Sequence, residues 1–335
     1  MINFKEVTSQ GFVGRMEDVI PAKAVLVTSA SKKVPLLKCV LKSIQKIGHP
    51  SFLISGDSNP NAIAQFFTDS FWHMPRLDGM DLQKLLFYCN EQHIKYIIPT
   101  RDGELSYFSR YKGELQQNGV HVMVSEMKGV ETCLDKLLFF QEGLALGFSV
   151  IPTAEESSAL DVSHFVVKER FGAGSESIGL NKILDEAEEY AKRLQHPIFQ
   201  PYIKGMEVSV DVYVQKNGVS KGAIARKREI VVGGESQITT TFRDEMLEQQ
   251  CADFAEKLGL YGHVLFQVII DDEGKYHFIE CNSRFGGASR LSIECGLDSF
   301  YWFLLESGGS DLTQYPFVRA AQDKRLIRYA EDLIL

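Results

Sequence analysis

The sequence predicts an α/β protein in which an N-terminal open, mostly parallel sheet is followed by an α+β region with antiparallel sheets. Between residues 24 and 125, short apolar runs alternate four times with amphipathic helical segments, and the connections are short. From residue 198 onward the pattern changes to a period of two, broken by KG and NG turns, which is typical of antiparallel strands. A length of 335 residues corresponds to about two or three domains.

The first half of the chain supplies the predicted parallel sheet. The run 24–30 predicts a buried strand. A helix should follow, because Pro35 suits a first turn, Gly48 suits a stop, and one apolar stripe lies between them. That stripe consists of Leu37, Val40, Leu41, Ile44 and Ile47. Further strands are predicted at 51–55, 95–100 and 120–125, and further helices at 81–93 and 103–119.

The second half predicts a different arrangement. A helix is expected over 132–153, running into an extended exit. It is followed by a strand ending at Lys168, a Gly/Ser-rich loop and a charged helix at 185–195. The stretch 198–232 predicts antiparallel strands, 245–260 a helix, and 262–289 a hairpin with a DDEG turn.

Composition and charge exclude several classes of protein. Apolar residues make up 44% and charged residues 24%, as in ordinary globular chains, and the net charge of −8 argues against nucleic acid or an anionic membrane as a partner. No apolar stretch approaches the roughly 18–20 residues that span a bilayer, and the first residues lack the apolar core of a signal peptide. The six cysteines form no CxxC and the eight histidines no HExxH. We therefore expect a cytoplasmic protein with reduced thiols that is not a zinc hydrolase.

The strongest chemical pattern lies on the predicted hairpin. Because side chains alternate along a strand, Glu280, Asn282 and Arg284 share one face, and Gln267 on the preceding strand can reach it. A carboxylate and two carboxamide oxygens suit Mg²⁺, and a nearby arginine can hold a phosphoryl oxygen. The alternative is a solvated polar face at a strand end.

A second pattern follows the strand that ends at Lys168. Gly172, Gly174 and Ser175 form a Gly/Ser loop whose N–H groups can surround phosphates, with the lysine adding a positive charge. The alternative is a flexible turn. The loop after the first strand, TSASKK, contains no glycine, which argues against a nicotinamide-binding fingerprint there.

Four further charged side chains are candidate ligand-binding residues, and each also has an ordinary structural interpretation. Glu207 on a predicted strand can accept ribose hydroxyls, or it is an exposed carboxylate. Lys136 stands at a helix start, where a solvated lysine is equally ordinary. Arg226 and Arg228 share one side of a strand, so they either meet a carboxylate or phosphate or form a solvated face.

In this order and spacing the elements resemble the ATP-grasp superfamily, and more narrowly its stand-alone proteins similar to the carbamoyl phosphate synthase large subunit. The resemblance runs from Ala24 to about Ser299 and rests on five segments: TSASKK, CLDKLLFFQEGLALGFSVIPT, VVKERFGAGS, FQPYIKGMEVSVDVYV and FIECNSRFGGAS. It implies a leader (1–23), a pre-ATP-grasp α/β domain (24–130), a linker helix with a lid subdomain (131–200) and a C-terminal ATP-grasp lobe (201–335).

The resemblance also implies a site for ATP and one or two Mg²⁺ ions, with Mn²⁺ as a substitute. The groups that would act on the transferring phosphoryl are Lys136, Lys168 and Arg284. The groups that would contact the nucleotide are Lys136, Lys168, Gly172, Gly174, Ser175, Gln200, Tyr202, Ile203, Glu207, Gln267 and Glu280. The metal ligands would be Gln267, Glu280 and Asn282.

The implied reaction is ATP-dependent joining of a small-molecule carboxylate to an amine through an acyl phosphate, with release of ADP and phosphate. Candidate substrate contacts are Arg101 and Glu104 after the KYIIP strand, Arg226, and Arg290 after the Gly-Gly loop. Alternatives are a kinase acting on a small metabolite and a non-catalytic ATP-binding partner protein. A homodimer is compatible with the resemblance.

Overall fold

The computed structural model describes residues 23–48, 51–172 and 178–335. Nearly all of the predicted leader, and the predicted phosphate-loop residues Gly174 and Ser175, lie outside these ranges. The described strands form three sheets, and the fold confirms a parallel α/β part followed by antiparallel sheets. The domain boundaries after residues 130 and 200 stay predictions.

The N-terminal sheet has five parallel strands in the order β3-β2-β1-β4-β5. Its elements are β1 (Lys23–Val27), α1 (Val34–Ile47), β2 (Ser51–Asp57), β3 (Ser70–His73), α2 (Leu82–Glu91), β4 (Ile94–Ile98), α3 (Asp102–Arg110), α4 (Lys112–Gln117) and β5 (His121–Val122). The predicted helix over 103–119 is two helices that meet at Tyr111. Strand β3 was not predicted, because two of its four residues are exposed, the other two are only partly buried, and they show no clear alternation.

The strand order reverses between β1 and β4. Connections therefore diverge at their carboxyl ends, which is where open α/β sheets leave a crevice. Helix α1, which follows β1, forms as predicted. It begins at a proline in its first turn and ends at Gly48, whose φ of 76° is accessible to glycine at little cost.

The connecting region contains α5 (Met127–Leu134) and α6 (Lys136–Ala145) in place of the single helix predicted over 132–153. Asp135 separates them. Its backbone is extended, and its carboxylate accepts hydrogen bonds from the N–H groups of Leu137 (3.0 Å) and Leu138 (3.2 Å). An aspartate that caps the following helix therefore interrupts the apolar run.

A small antiparallel sheet follows, in the order β7-β6-β8. Its elements are β6 (Phe165–Glu169), β7 (Ile178–Lys182), α7 (Leu184–Ala191) and β8 (Pro197–Pro201). It has a core of its own, formed by Phe165, Val167, Ala187 and Phe199. The loop between β6 and β7 contains residues 173–177, which lie outside the described ranges.

The largest sheet has six antiparallel strands in the order β13-β12-β9-β10-β11-β14. Its elements are β9 (Gly205–Val214), β10 (Ser220–Val232), β11 (Glu235–Phe242), α8 (Glu245–Lys257), β12 (Gly262–Asp271), β13 (Tyr276–Asn282), α9 (Arg290–Glu294), α10 (Ser299–Ser307) and β14 (Arg325–Ile327). The hairpin β12–β13 forms at the predicted turn, whereas β11, α9, α10 and β14 lie outside the predicted elements.

One apolar core joins the N-terminal sheet to the largest sheet. Val27 and Leu37 from the first domain pack in the same cluster as Phe285, Phe300 and Phe303. This shared core holds the carboxyl ends of β1 and β4 next to the end of β13. Among the described residues, no helix combines the length and apolar character required to cross a bilayer.

Candidate active site

The hairpin β12–β13 brings the predicted oxygen ligands together. Gln267 lies directly opposite Glu280 in the strand register, and the Asn282 side-chain amide donates to Glu280 Oε1 at 3.3 Å. Cys281, between them, points into the apolar core, as the alternation predicts. These three side chains offer oxygen donors, the type that Mg²⁺ prefers, so the residues fit such an ion. No cluster of three or more His, Cys, Asp or Glu side chains suited to a metal occurs in the described parts of the chain, so this set contains a single carboxylate and two carboxamides.

A guanidinium faces this set of oxygen atoms. Arg228 Nη1 donates to Gln267 Oε1 at 2.7 Å and lies 3.4 Å from Glu207 Oε2, while Nη2 donates to the carbonyl of Gly234 at 2.8 Å. The side chain is 6% exposed, and its Nε has no hydrogen-bond partner among the residues described. Arg228 therefore engages the Gln267 oxygen that a metal ion would require. The sequence predicted that Arg228 meets either a carboxylate or phosphate or the solvent, and the carboxylate it meets is that of Glu207.

Two lysines come from the opposite side. Lys168, on β6, is 6% exposed, and its ammonium lies within the electrostatic influence of Glu280, Lys136 and Glu207. Burial lowers the pKa of Lys168 to about 8, with Lys136 acting in the same direction and the two glutamates opposing it. Lys136 Nζ donates to the carbonyl of Gly172 at 2.8 Å. Both predicted phosphate-binding lysines therefore lie between the small and the large sheet.

An ion pair fixes the start of α6 to the chain before the loop. Arg170 donates to both oxygens of Asp135, at 2.8 and 2.6 Å, and the Lys136 N–H donates to the Arg170 carbonyl at 3.2 Å. Burial alone would raise the pKa of Asp135, but the hydrogen bonds from Arg170 and the helix N–H groups bring it below its usual value. These contacts hold Lys136 beside Gly172.

The segment after β8 carries the predicted nucleotide-base contacts. The Gln200 side chain is buried and donates to Thr153 Oγ1 at 2.8 Å, so it faces the chain segment between α6 and β6. The Tyr202 N–H donates to the His164 carbonyl at 2.9 Å and is therefore already engaged. Ile203 follows directly, and Glu207 is half exposed beside Arg228.

Arg284 reaches the N-terminal domain. Its Nε and Nη2 donate to the two carboxylate oxygens of Asp102 at 2.6 and 2.5 Å, and Nη2 lies 3.3 Å from Asn282 Oδ1. Asp102 begins α3 at the carboxyl end of β4. The predicted phosphoryl-binding arginine is thus paired with a carboxylate 182 residues away in the chain, which no local pattern could indicate.

Glu104 is not available to a substrate, which corrects the prediction. It is 2% exposed and accepts hydrogen bonds from the N–H groups of Thr100 (2.6 Å) and Arg101 (3.0 Å) and from Ser29 Oγ (2.9 Å). Burial raises the pKa of Glu104 against these hydrogen bonds. Its carboxylate joins the loops after β1 and β4, whereas the Arg101 side chain is exposed.

Arg226 is also a structural residue, contrary to the prediction. It is 2% exposed, and its Nε donates to Asp211 Oδ2 at 2.8 Å; Asp211 itself is fully buried. Ser289 Oγ and Ser292 Oγ donate to the same carboxylate, at 2.5 and 2.6 Å. This network anchors the chain that follows the Gly-Gly loop. The fourth predicted substrate residue, Arg290, lies within α9, 4.0 Å from Glu294.

Two family models cover most of the chain. Residues 193–330 match the family described as ATP-grasp in the biosynthetic pathway with Ter operon, and residues 25–123 match the PylC-like N-terminal domain. A carbamoyl-phosphate synthase of Methanobrevibacter smithii is 23% identical over 300 residues, which is 83% of this chain and 78% of that protein.

Solved structures show the same fold. The biotin carboxylase domain of Hydrogenobacter thermophilus 2-oxoglutarate carboxylase, a dimer with MgADP, ADP and bicarbonate, superposes with a TM-score of 0.71 at 15% identity, covering 90% of this chain and 73% of that one. N5-carboxyaminoimidazole synthetase of Staphylococcus aureus with ADP gives a TM-score of 0.67 at 17% identity, covering 87% and 78%. The solved structures share the fold of this chain, and the two family models and the synthase relative make it similar to ATP-grasp proteins of the carbamoyl-phosphate-synthase type.

Proposed function

We propose that this chain is an ATP-dependent carboxylate–amine ligase that forms an amide and releases ADP and phosphate. The observation that carries the proposal is that the buried Lys168, on the small sheet, interacts electrostatically with the partly buried Glu280, on the large sheet. A pair of opposed sheets that presents ammonium groups on one side and oxygen ligands on the other suits a nucleotide triphosphate with its divalent ion.

The metal would be held by Gln267, Glu280 and Asn282, where it would neutralise phosphate charge. Lys136 and Lys168 would supply two further positive charges to the phosphates. Gly172 begins the loop that would cover them. Since none of these groups changes its covalent structure, the protein's contribution is positioning and charge stabilisation.

The chemistry has two steps. A carboxylate oxygen of the acid attacks the γ-phosphorus, the bond to the β-phosphate oxygen breaks, and ADP leaves. The amine then attacks the acyl carbon, phosphate leaves with the bonding electrons, and the nitrogen loses a proton. Arg284 would stabilise the transferring phosphoryl, which requires its guanidinium to loosen its hydrogen bonds with Asp102.

Gln200, Tyr202, Ile203 and Glu207 are proposed to contact the base and the ribose. Because the Tyr202 N–H is engaged with His164, the donor to the base would be another backbone group, such as that of Ile203. The dimeric state and the MgADP of the Hydrogenobacter domain support a nucleotide–Mg²⁺ site and a homodimer here.

The test is an ADP-release screen of pooled carboxylic acids crossed with pooled amines. We expect release that depends on both pools, is lost in Glu280→Gln and is kept in Glu273→Gln, which alters an exposed turn of the same hairpin. Formation of AMP and pyrophosphate would refute the proposal. A stable phosphorylated product without an amine would indicate a kinase, and nucleotide binding without turnover would indicate a non-catalytic role.

A further inference from the structure

The crevice between the N-terminal domain and the largest sheet contains an unassigned lysine. Lys33 precedes α1, at the carboxyl end of β1, where the strand order of the first sheet reverses. Its Nζ donates to the carbonyl of Thr100, and Asp102, two residues further along the chain, pairs with Arg284 just after β13. Lys33 therefore lies near the end of β13, and its charge interacts with those of Arg284, Glu104, Asp102 and Glu235.

The surroundings of Lys33 differ from those of an ordinary surface lysine. Its Nζ donates to the Thr100 carbonyl, the one acceptor for it among the residues that the structure describes. Burial, and then the charge of Arg284, lower the pKa of Lys33 to about 8. The preceding residue, Lys32, is exposed and gives a natural comparison. An ammonium group with three donors and a single acceptor retains the capacity to bind an anion.

The loop that carries Lys33 is fixed before any ligand arrives. The Ser31 N–H donates to Asp57 Oδ2 at 2.8 Å, and the Lys33 N–H donates to the Ala30 carbonyl at 2.6 Å. Ser29 Oγ donates to the buried Glu104, which also holds the loop after β4. A binding group held by such contacts loses little conformational freedom when a ligand binds.

The free donors of Lys33 indicate the kind of ligand. The charges of Asp102, Glu104 and Glu235 act on Lys33, but its ammonium makes no ion pair with any residue that the structure describes, whereas Arg284 is paired with Asp102. A carboxylate can therefore accept a hydrogen bond from Lys33 without displacing an ion pair of that lysine. Arg284 follows Asn282 by two residues, so an anion held here lies beside the proposed phosphoryl-transfer position.

We propose that Lys33 binds the carboxylate of the acid substrate and holds it next to Arg284. This inference rests on the proposed ligase function and adds the residue of the N-terminal domain that would hold its carboxylic acid substrate. The proposal also replaces Glu104 as the substrate contact of the N-terminal domain.

Formate is a suitable probe, because the smallest carboxylate fits a site built for any larger acid. The protein, with ε-¹³C-labelled lysine and no nucleotide, is titrated with formate at constant ionic strength, and the Lys33 signal is identified by its loss in Lys33→Met. We expect the Lys33 signal to shift along a saturating curve, whereas the Lys32 signal drifts linearly. If the Lys33 signal drifts linearly with the same slope as that of Lys32, the proposal is wrong.

Turnover provides a second readout. With the acid found by the release screen, Lys33→Met should raise its KM by about 10- to 100-fold, the usual effect of losing one charge-assisted hydrogen bond. The KM for ATP should change less than about twofold, and Lys32→Met should leave both unchanged. A Lys33→Met enzyme with an unaltered KM for the acid would overturn the inference. The formate titration contains no nucleotide, so failure of the ligase function alone leaves its result intact.

Discussion

Replacing Asp211 by asparagine tests whether the buried ion pair with Arg226 stabilises the largest sheet. The Asp211 carboxylate is fully buried and lies 2.8 Å from Arg226 Nε. His263 Nε2 contacts its other oxygen at 3.0 Å, and two serine hydroxyls complete its hydrogen bonds. Asparagine has nearly the same shape, so the substitution removes the charge and leaves the packing in place.

The expected loss of stability in Asp211→Asn follows from the buried arginine that the substitution leaves without a counterion. Arg226 keeps its charge but loses its counterion, and removing one partner of a buried pair costs about 3–5 kcal/mol. Asp272→Asn is the matched control, because Asp272 pairs with Lys204 at 3.4 Å and both side chains are about three-quarters exposed. Such an exposed pair contributes about 0–1 kcal/mol. Urea unfolding of the three proteins measures both values, and equal losses in the two variants would refute the reasoning.

The same variant predicts a pH dependence. Burial opposes ionisation of Asp211, but the charge of Arg226 and the hydrogen bond from His263 outweigh it and hold the pKa of the carboxyl well below its usual range. A carboxyl with a depressed folded-state pKa stabilises the protein fully above its unfolded pKa of about 4, and this stabilisation is lost as the pH falls below it. The wild type should therefore lose stability in acid more steeply than Asp211→Asn. Parallel curves would contradict the assignment.

Three further predictions concern other parts of the molecule. Without nucleotide, Arg228→Met should bind Mn²⁺ at least about tenfold more tightly than the wild type, because the guanidinium no longer occupies the Gln267 oxygen. Electron paramagnetic resonance measures the affinity, and Lys227→Met is the control. Equal affinities of Arg228→Met and the wild type would show that Arg228 does not compete with the metal ion for Gln267. The affinity for a nonhydrolysable ATP analogue, measured by calorimetry, should fall between about pH 7 and pH 9 as Lys168 loses its proton. Lys168→Met should remove this pH dependence. A wild-type affinity that does not change with pH would contradict the prediction. Gly143→Ala should destabilise the protein by about 1–3 kcal/mol, because the new Cβ would lie 2.5 Å from a methyl group of Val150. Gly113→Ala in α4 places its Cβ in open space and should stabilise the protein by about 0.5–1 kcal/mol. Urea unfolding measures both changes, and the opposite order of stabilities would refute this prediction.

The sequence predicts those parts of the fold that depend on short-range periodicity. Helix α1 has an apolar stripe, a proline in its first turn and a glycine at its end, and the structure places its limits where these signals lie. The prediction of one helix over 132–153 is wrong at Asp135, where one helix ends and the next begins. Asp135 caps the second helix, but it lies within an apolar run, so the sequence pattern does not mark it as a cap. Strand β3 has only four residues, two exposed and two partly buried, which is too short a run for an alternation to be recognised.

Alternation along a strand predicts a shared face but not the partner of each side chain on it. Arg226 and Arg228 were predicted to share one side of β10. The first pairs with Asp211 inside the protein, and the second faces Gln267 and Glu207 in the candidate site. The partner that each arginine meets depends on neighbouring strands that come together only in the folded sheet.

The segment after β4 shows the same limit within one helical turn. Asp102 and Glu104 stand two residues apart at the start of α3, and sequence reasoning favoured the glutamate as a substrate contact. Glu104 occupies the third helical position, from which its side chain reaches back to the N–H groups of Thr100 and Arg101. Asp102 occupies the first position, where its carboxylate points away from the helix and meets Arg284 of the other domain. Position in the first turn thus separates an acid that completes a helix from one that joins two domains, and the latter is the one beside the proposed phosphoryl-transfer site.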